Sequence, residues 1–124
     1  MSDSPREIVE RYYEYANAGA WDKWCDLFAD DMTMDEQLAG RVEGLATLRS
    51  MMAGFPDMYP LFANRPRHIL VDGDEAAAVS HLSAQTPGGE EIEADVMNYF
   101  RIRAGRIAYM ANFHDTAPFR LGAG

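Results

Sequence analysis

A chain of 124 residues that is 48% hydrophobic and 25% charged is expected to form one soluble domain across residues 1–124, long enough to bury a real core. Its formal net charge of −9 argues against nucleic acid and against an anionic membrane surface, because both are bound through excess Lys and Arg. Cys25 is the only cysteine and cannot close an internal disulfide. With neither a signal-type apolar segment nor a long apolar span in view, a cytoplasmic protein without membrane association is expected.

Ser4-Pro5-Arg6-Glu7 reads as a helix start, with Ser4 as the cap, Pro5 in the first turn and Glu7 completing a capping box. Gly19 ends the helix. Ile8, Tyr12 and Tyr15 share a stripe flanked by Val9, Tyr13 and Ala16, so one broad face is apolar and aromatic. Each tyrosine hydroxyl on it needs water or a buried partner. A second short helix, about 21–29, spaces Trp21, Trp24, Leu27 and Phe28 as core, and nothing near Cys25 suggests an activated thiolate.

Residues 32–36 then read as a short strand on which Met32, Met34 and Glu36 share a face. If the methionines point inward, so does Glu36. Residues 37–44 form a polar loop, and a third helix over about 45–55 stops at Pro56. After a loop through Pro60 and Pro66, strands are expected at 67–71 and 76–86, separated by Asp72-Gly73-Asp74. Ser80 falls on the inner parity of the second of these and His81 on the outer. Pro87-Gly88-Gly89 turns the chain into its final hairpin, and Gly122-Ala123-Gly124 is expected to fray.

On the first hairpin strand, Ile92, Ala94, Val96, Phe100 and Ile102 are apolar at alternate positions, interrupted only by Asn98. Asn98 is therefore buried with them. A two-residue Ala104-Gly105 turn would need positive φ at Ala104, so a three-residue loop with Gly105 alone in the left-handed region is expected. That choice places Ile102 opposite Arg106 and Asn98 opposite Met110. It puts Ala108, Met110, Asn112 and His114 on the inner face, and Met97, Tyr99, Ile107, Tyr109, Ala111 and Phe113 outside as an apolar patch of the kind that marks an interface. The order of elements implies an α+β fold in which a curved, mainly antiparallel sheet wraps three N-terminal helices and encloses a pocket.

Several motifs in order, Val9-Glu10-Arg11-Tyr12, Asn17-Ala18-Gly19, Leu27-Phe28-Ala29-Asp30-Asp31, Gly44 before the third helix, and Tyr99-Phe100-Arg101-Ile102 before an Ala-Gly turn, resemble the nuclear-transport-factor-2-like superfamily. Within it the chain is most similar to the SnoaL-like polyketide cyclases and the steroid Δ5-isomerases. The resemblance implies a cone-shaped α+β barrel, no cofactor, and a homodimer joined through the convex sheet face. It also implies site residues: Tyr12 as a hydrogen-bonding tyrosine, Glu36 as the carboxylate base, and Asn98 where the isomerases carry a protonated aspartic acid. Glu replaces Asp as the base here, and an Asn amide can donate without any proton to hold.

The expected activity is proton abstraction next to a carbonyl in a small apolar molecule, of isomerase, cyclase or lyase type. Glu36 would be the base, Tyr12 and Asn98 the donors to an enolate oxygen, and His114 a second candidate acid or base. Met32, Met34, Ser80, Phe100, Met110 and Asn112 would bind the substrate. Glu36, close to a strand end, reads equally well as a solvated carboxylate, and Asn112 and His114 as caps of the last strand. No His or Cys spacing suggests a metal site. A non-catalytic ligand-binding or protein-interaction module of the same fold is the alternative.

Overall fold

The computed structural model describes residues 4–119, so the Gly122-Ala123-Gly124 tail lies outside the described residues. The capping box forms: the Ser4 hydroxyl accepts from the Glu7 backbone N–H at 3.2 Å, and the Glu7 carboxylate accepts from the Ser4 N–H at 3.4 Å. It opens α1 (Pro5–Ala18), which Gly19 closes at φ 69°. Helix α2 (Trp21–Cys25) is shorter than expected. Strand β1 (Phe28–Glu36) begins at Phe28 rather than Met32, because Phe28 pairs with Ile107 and buries its ring completely.

The segment read as a loop after Glu36 contains β2 (Gly40–Glu43), an edge strand that places Val42 opposite Met34. Helix α3 (Leu45–Ala53) is followed by one further turn, α4 (Phe55–Met58), with Pro56 in its first turn. There the missing N–H has no partner to lose, so the proline starts a helix as well as ending one. Strand β3 (Leu61–Asp72) also begins earlier than expected, at Leu61. It runs through Pro66 because β3 is the other sheet edge and its pairing slips between Pro66 and His68, where no ladder donor is required. Strands β4 (Glu75–Gln85), β5 (Glu91–Arg103) and β6 (Arg106–Phe113) complete a sheet in the order β2-β1-β6-β5-β4-β3. All neighbours are antiparallel except β1 and β6. Among the described residues no helix is long and apolar enough to cross a membrane.

The last hairpin departs from expectation at its turn. Ala104 (φ 50°) and Gly105 (φ 77°) are both left-handed, and Arg103 pairs with Arg106, so the turn has two residues. Ile102 therefore faces Ile107, which is fully buried instead of lying on the outer face. The pairing then slips: Arg101 faces Tyr109, leaving Ala108 as an extra residue. This bulge restores the parity, so Met110 sits opposite Phe100 and Asn112 opposite Asn98. Met110 and Asn112 thus reach the inner side, while Ala108 does not. Burying an isoleucine contributes about 1.5–3 kcal/mol, enough to offset the roughly 1–2 kcal/mol that a left-handed alanine costs.

The outer face is less apolar than its parity suggests. The Tyr109 hydroxyl donates to Asp35 at 2.5 Å and the Tyr99 hydroxyl donates to Glu75, while the Arg101 guanidinium lies 5.5 Å from the Tyr109 ring centroid and 5.8 Å from that of Tyr99. Met97 and Phe113 remain exposed there, and Ala111 is covered by its neighbours.

Candidate functional site

A cavity of about 360 Å³ opens between the concave side of the sheet and the helices, near the lower end of the roughly 300–1,000 Å³ usual for small-molecule sites. Tyr12 and Ala16 of α1, Trp21 and Trp24 of α2, and Leu48, Met51 and Met52 of α3 form one wall. Phe55, Met58, Tyr59 and Phe62 extend this apolar lining, and Met34, Glu36, Asn64, Met110 and Asn112 line the sheet side. The rings interlock: Trp21 packs edge-on to Phe55 at 4.9 Å and to Phe62 at 5.6 Å between centroids. A wider recess of about 890 Å³ on the outer face is an open groove lined by Asp31, Arg41, Glu75, Arg101 and Arg103. Its charges already neutralise one another, as in the Arg103–Asp31 and Arg41–Asp35 pairs.

Among the described residues, Glu36 is the only ionisable acid or base lining the inner cavity other than the tyrosines Tyr12 and Tyr59. Alternation along β1 turns it to the same side as the buried Met32 and Met34. The reversal into β2 then folds over it, so that Oε2 accepts the Leu38 N–H at 2.8 Å and also the Ala39 N–H. Oε1 is less engaged: among the described residues only the Asn112 Nδ2 donates to it, at 3.5 Å. Asn112 is itself oriented by the Gln37 N–H, which donates to its Oδ1 at 3.0 Å. The carboxylate is therefore held by one oxygen and leaves the other toward the cavity.

The Tyr12 hydroxyl makes no hydrogen bond among the described residues, and its ring is wedged against Trp24 and Phe100 at 5.4 and 5.1 Å. Burial pushes its pKa well up, helped by Tyr13 and by the negative charge of Glu36. Tyr59 shifts the same way, through burial first and Glu36 second. Both hydroxyls keep their protons beside the carboxylate, which is the protonation a hydrogen-bond donor requires.

Of the ten expected site residues, the cavity gathers Tyr12, Met34, Glu36, Met110 and Asn112. Asn98 is buried but faces elsewhere: its Nδ2 donates to the Tyr13 hydroxyl at 2.8 Å, behind Tyr12. Ser80 is sealed in the same place, on the inner parity of β4 beside Tyr13. Phe100 and Met32 are fully buried supports beneath the lining. His114 lies beyond the end of β6, its ring packed 4.9 Å from Phe119 and its Nδ1 at 2.8 Å from the Asp115 carbonyl. The sequence places Trp21 and Trp24 in the core and Phe55 on the apolar side of the third helix, and gives no role to Tyr59, Phe62 or Asn64, all of which line the cavity. The signal for the last two was the alternation Phe62, Asn64, hidden by the reading of 57–65 as loop.

In sequence, the SnoaL-like domain profile matches residues 9–110, whereas no curated protein matches the chain. Among solved structures, a nuclear-transport-factor-2-like protein of unknown function from Burkholderia pseudomallei superposes with a TM-score of 0.88 at 16% identity, over 97% of this chain and 98% of its own. IdmH of Streptomyces antibioticus, a candidate polyketide cyclase, gives 0.81 at 19% identity over 98% and 99%. TerC, crystallised with polyporic acid, gives 0.84 at 18% identity over 96% and 98%. These likenesses establish the cone-shaped fold, and the profile covering most of the chain establishes the family: the chain belongs to the SnoaL-like domain family.

Proposed function

We propose that this protein is a cofactor-independent acid–base enzyme of the isomerase, cyclase or lyase type, acting on a small apolar carbonyl compound. The observation that carries the reading is a carboxylate, Glu36, facing a ring-lined cavity that, among the described residues, has no other charged side chain and holds the Tyr12 hydroxyl without a hydrogen-bond partner. Glu36 Oε1 takes the proton from the carbon next to the carbonyl. Electron density moves onto the carbonyl oxygen, and the Tyr12 O–H donates to that oxygen as charge develops. The enolate then takes the proton back from Glu36 at another carbon, or its carbon attacks a second carbonyl to close a ring, and the alkoxide oxygen so formed takes the proton from Glu36. Asn98 has no part in this step, since its amide serves Tyr13. A binding-only module is the second reading, favoured by the backbone N–H groups that already hold Glu36 Oε2.

Exchange of the α-protons of 2-tetralone into deuterated buffer, followed by proton NMR, separates the two. Wild-type protein should accelerate exchange and Glu36→Gln should lose about 100-fold or more of it, in the range of a general base. Tyr12→Phe should lose on the order of 100-fold, in the range of one oxyanion donor. Exchange at the same rate in Glu36→Gln would sink the catalytic reading and leave the binding module.

A further inference from the structure

Beside the inner cavity lies a second recess of about 500 Å³, between α4 and the turn joining β4 to β5. Thr86, Pro87, Gly88, Glu90, Ile92 and Phe119 line it. Met58 and Tyr59 line both spaces, so the two adjoin at these side chains. The Tyr59 pKa is raised by burial first and by the Glu36 charge second, so the junction lies within the electrostatic reach of Glu36. The same Tyr59 ring stands edge-on to Phe119, at 6.4 Å between centroids.

The junction is lightly built and open. None of the four α4 residues is buried, and Met58 is 58% exposed, so a ligand can reach it. Around the recess the polar groups are occupied with one another. The Thr86 N–H donates to the Glu90 carbonyl at 3.0 Å, the Gly89 N–H to the Thr86 carbonyl at 2.9 Å, and the Thr86 hydroxyl accepts the Glu90 N–H at 3.2 Å. Met58, Tyr59, Pro87 and Phe119 supply apolar surface. Among the described residues lining the recess only Glu90 is charged, and none lining either space is Lys, Arg or His.

We infer that the recess is a second binding subsite, which takes the uncharged, elongated hydrocarbon tail of a ligand whose carbonyl end lies in the inner cavity. A ligand confined to the inner cavity has about 360 Å³. One that passes Met58 and Tyr59 gains the second space and covers their apolar surfaces. Each methylene so buried tightens binding by about threefold to fourfold, and Met58, unbranched and flexible, can re-pack around the chain. Glu90 repels an anion at the end of the tail and no lining cation meets one, which disfavours a terminal carboxylate or phosphate. This deepens the reading of the inner cavity as a carbonyl-binding site, on which it rests.

Tryptophan fluorescence titrations of the full chain with 2-hexanone, 2-dodecanone and 11-oxododecanoate test the subsite, since Trp21 and Trp24 line the inner cavity. 2-Dodecanone should bind on the order of 100-fold or more tighter than 2-hexanone. Gly88→Phe fills the recess: a Cβ there meets nothing closer than 3.9 Å, its nearest atoms belong to Thr86 and Glu90, and Gly88 is not left-handed. It should cut the gain to about tenfold or less while leaving 2-hexanone within about twofold. Glu90→Lys should tighten 11-oxododecanoate by about threefold or more and leave 2-dodecanone within about twofold. If Gly88→Phe does not fold, Glu90→Lys carries the test alone. No binding of 2-dodecanone up to its solubility, a wild-type gain below about tenfold, or a gain that survives Gly88→Phe overturns the inference. An 11-oxododecanoate affinity unmoved by Glu90→Lys overturns it too, because the tail then ends elsewhere. Exchange of the α-protons of 2-tetralone, which has no tail, responds to Glu36 and fails independently of these affinities.

Discussion

The Asn98 amide donates to the Tyr13 hydroxyl at 2.8 Å, with the two side chains 1% and 2% exposed. One residue's shift along α1 therefore changes the meaning of Asn98: it pairs with the tyrosine behind the cavity instead of the one lining it. Burial raises the Tyr13 pKa, and the Asn98 amide is the main opposing influence. The pair serves stability. Tyr13→Phe, which strands the amide, should cost roughly 1–3 kcal/mol in urea unfolding, and Asn98→Leu a comparable amount. Both should keep 2-tetralone exchange within about threefold of wild type. A loss of exchange in Asn98→Leu as deep as in Glu36→Gln would return Asn98 to the catalytic set.

Local signals carried most of the fold and half of the site. The Ser4–Glu7 capping box, Gly19, and the alternation from Ile92 to Ile102 are determined by neighbours in sequence, and the structure has them as read. Met34 and Glu36 followed from parity alone. What failed depended on partners distant in sequence. Phe28 extends because Ile107 lies beside it, and Pro66 stays in a strand because that strand is an edge. Tyr12 and Tyr13 sit on adjacent positions of one apolar face, and only the position of β5 beneath the helix decides which meets Asn98. Trp24 reads as core because its ring is core; its unpaired N–H is visible only when the packing is known.

The hairpin turn offers a stability test. Ala104 sits at φ 50° in a two-residue turn whose central residues are both left-handed. Ala104→Gly removes the clash of Cβ with the backbone, and Asn tolerates the same region through its short polar side chain. Either substitution should stabilise the protein by about 0.5–1 kcal/mol, whereas Gly105→Ala should destabilise it by about 1 kcal/mol or more. Thermal unfolding of the three variants checks the turn directly. A destabilised Ala104→Gly would mean the three-residue loop is the one adopted.

Asn17 should matter without touching a ligand. Its carboxamide makes two hydrogen bonds to the Asn64 backbone, so Asn17→Ala leaves a part-buried N–H and carbonyl unpaired. A loss of about 1–3 kcal/mol is expected in urea unfolding. Amide hydrogen exchange should speed up at Asn64 and leave β5 protected, since the clamp ties only α1 to the β3 edge. Unchanged exchange at Asn64 would show that the clamp is dispensable.

On the outer face, His81 Nε2 lies 2.9 Å from Glu93 and Nδ1 lies 2.9 Å from Asp95, which Arg67 also contacts at 2.9 Å. With a carboxylate at each ring nitrogen the imidazolium is favoured, so the His81 pKa is raised from 6.5 by Glu93 first and Asp95 second. The folded state thus binds the proton more tightly than the unfolded chain. The contribution is fully present below about pH 6.5 and lost as pH rises through the folded value. Glu93 and Asp95 are lowered chiefly by the same histidine, so their share is lost as pH falls through their folded values. The stability advantage of wild type over His81→Gln should therefore be largest near about pH 6 and decline toward both ends. An NMR titration of the ring locates its pKa, and a value at or below 6.5 would refute the assignment.

Tyr12 gives the opposite end of the pH scale. An unfolded tyrosine ionises near 10.0, but in the fold burial, then Tyr13, then Glu36 raise the Tyr12 pKa well above that. Between the two values the unfolded chain has released a proton that the folded protein keeps, so stability falls as pH rises past about 10. Tyr12→Phe removes that group from the balance and should flatten the alkaline loss, leaving the part contributed by Tyr13, whose pKa is raised by burial too. Urea midpoints compared between about pH 9 and pH 11 should converge for the two proteins, wild type falling faster. Parallel curves would mean that Tyr12 ionises as freely in the fold as in water, and a tyrosine so easily deprotonated could not serve as the donor beside Glu36.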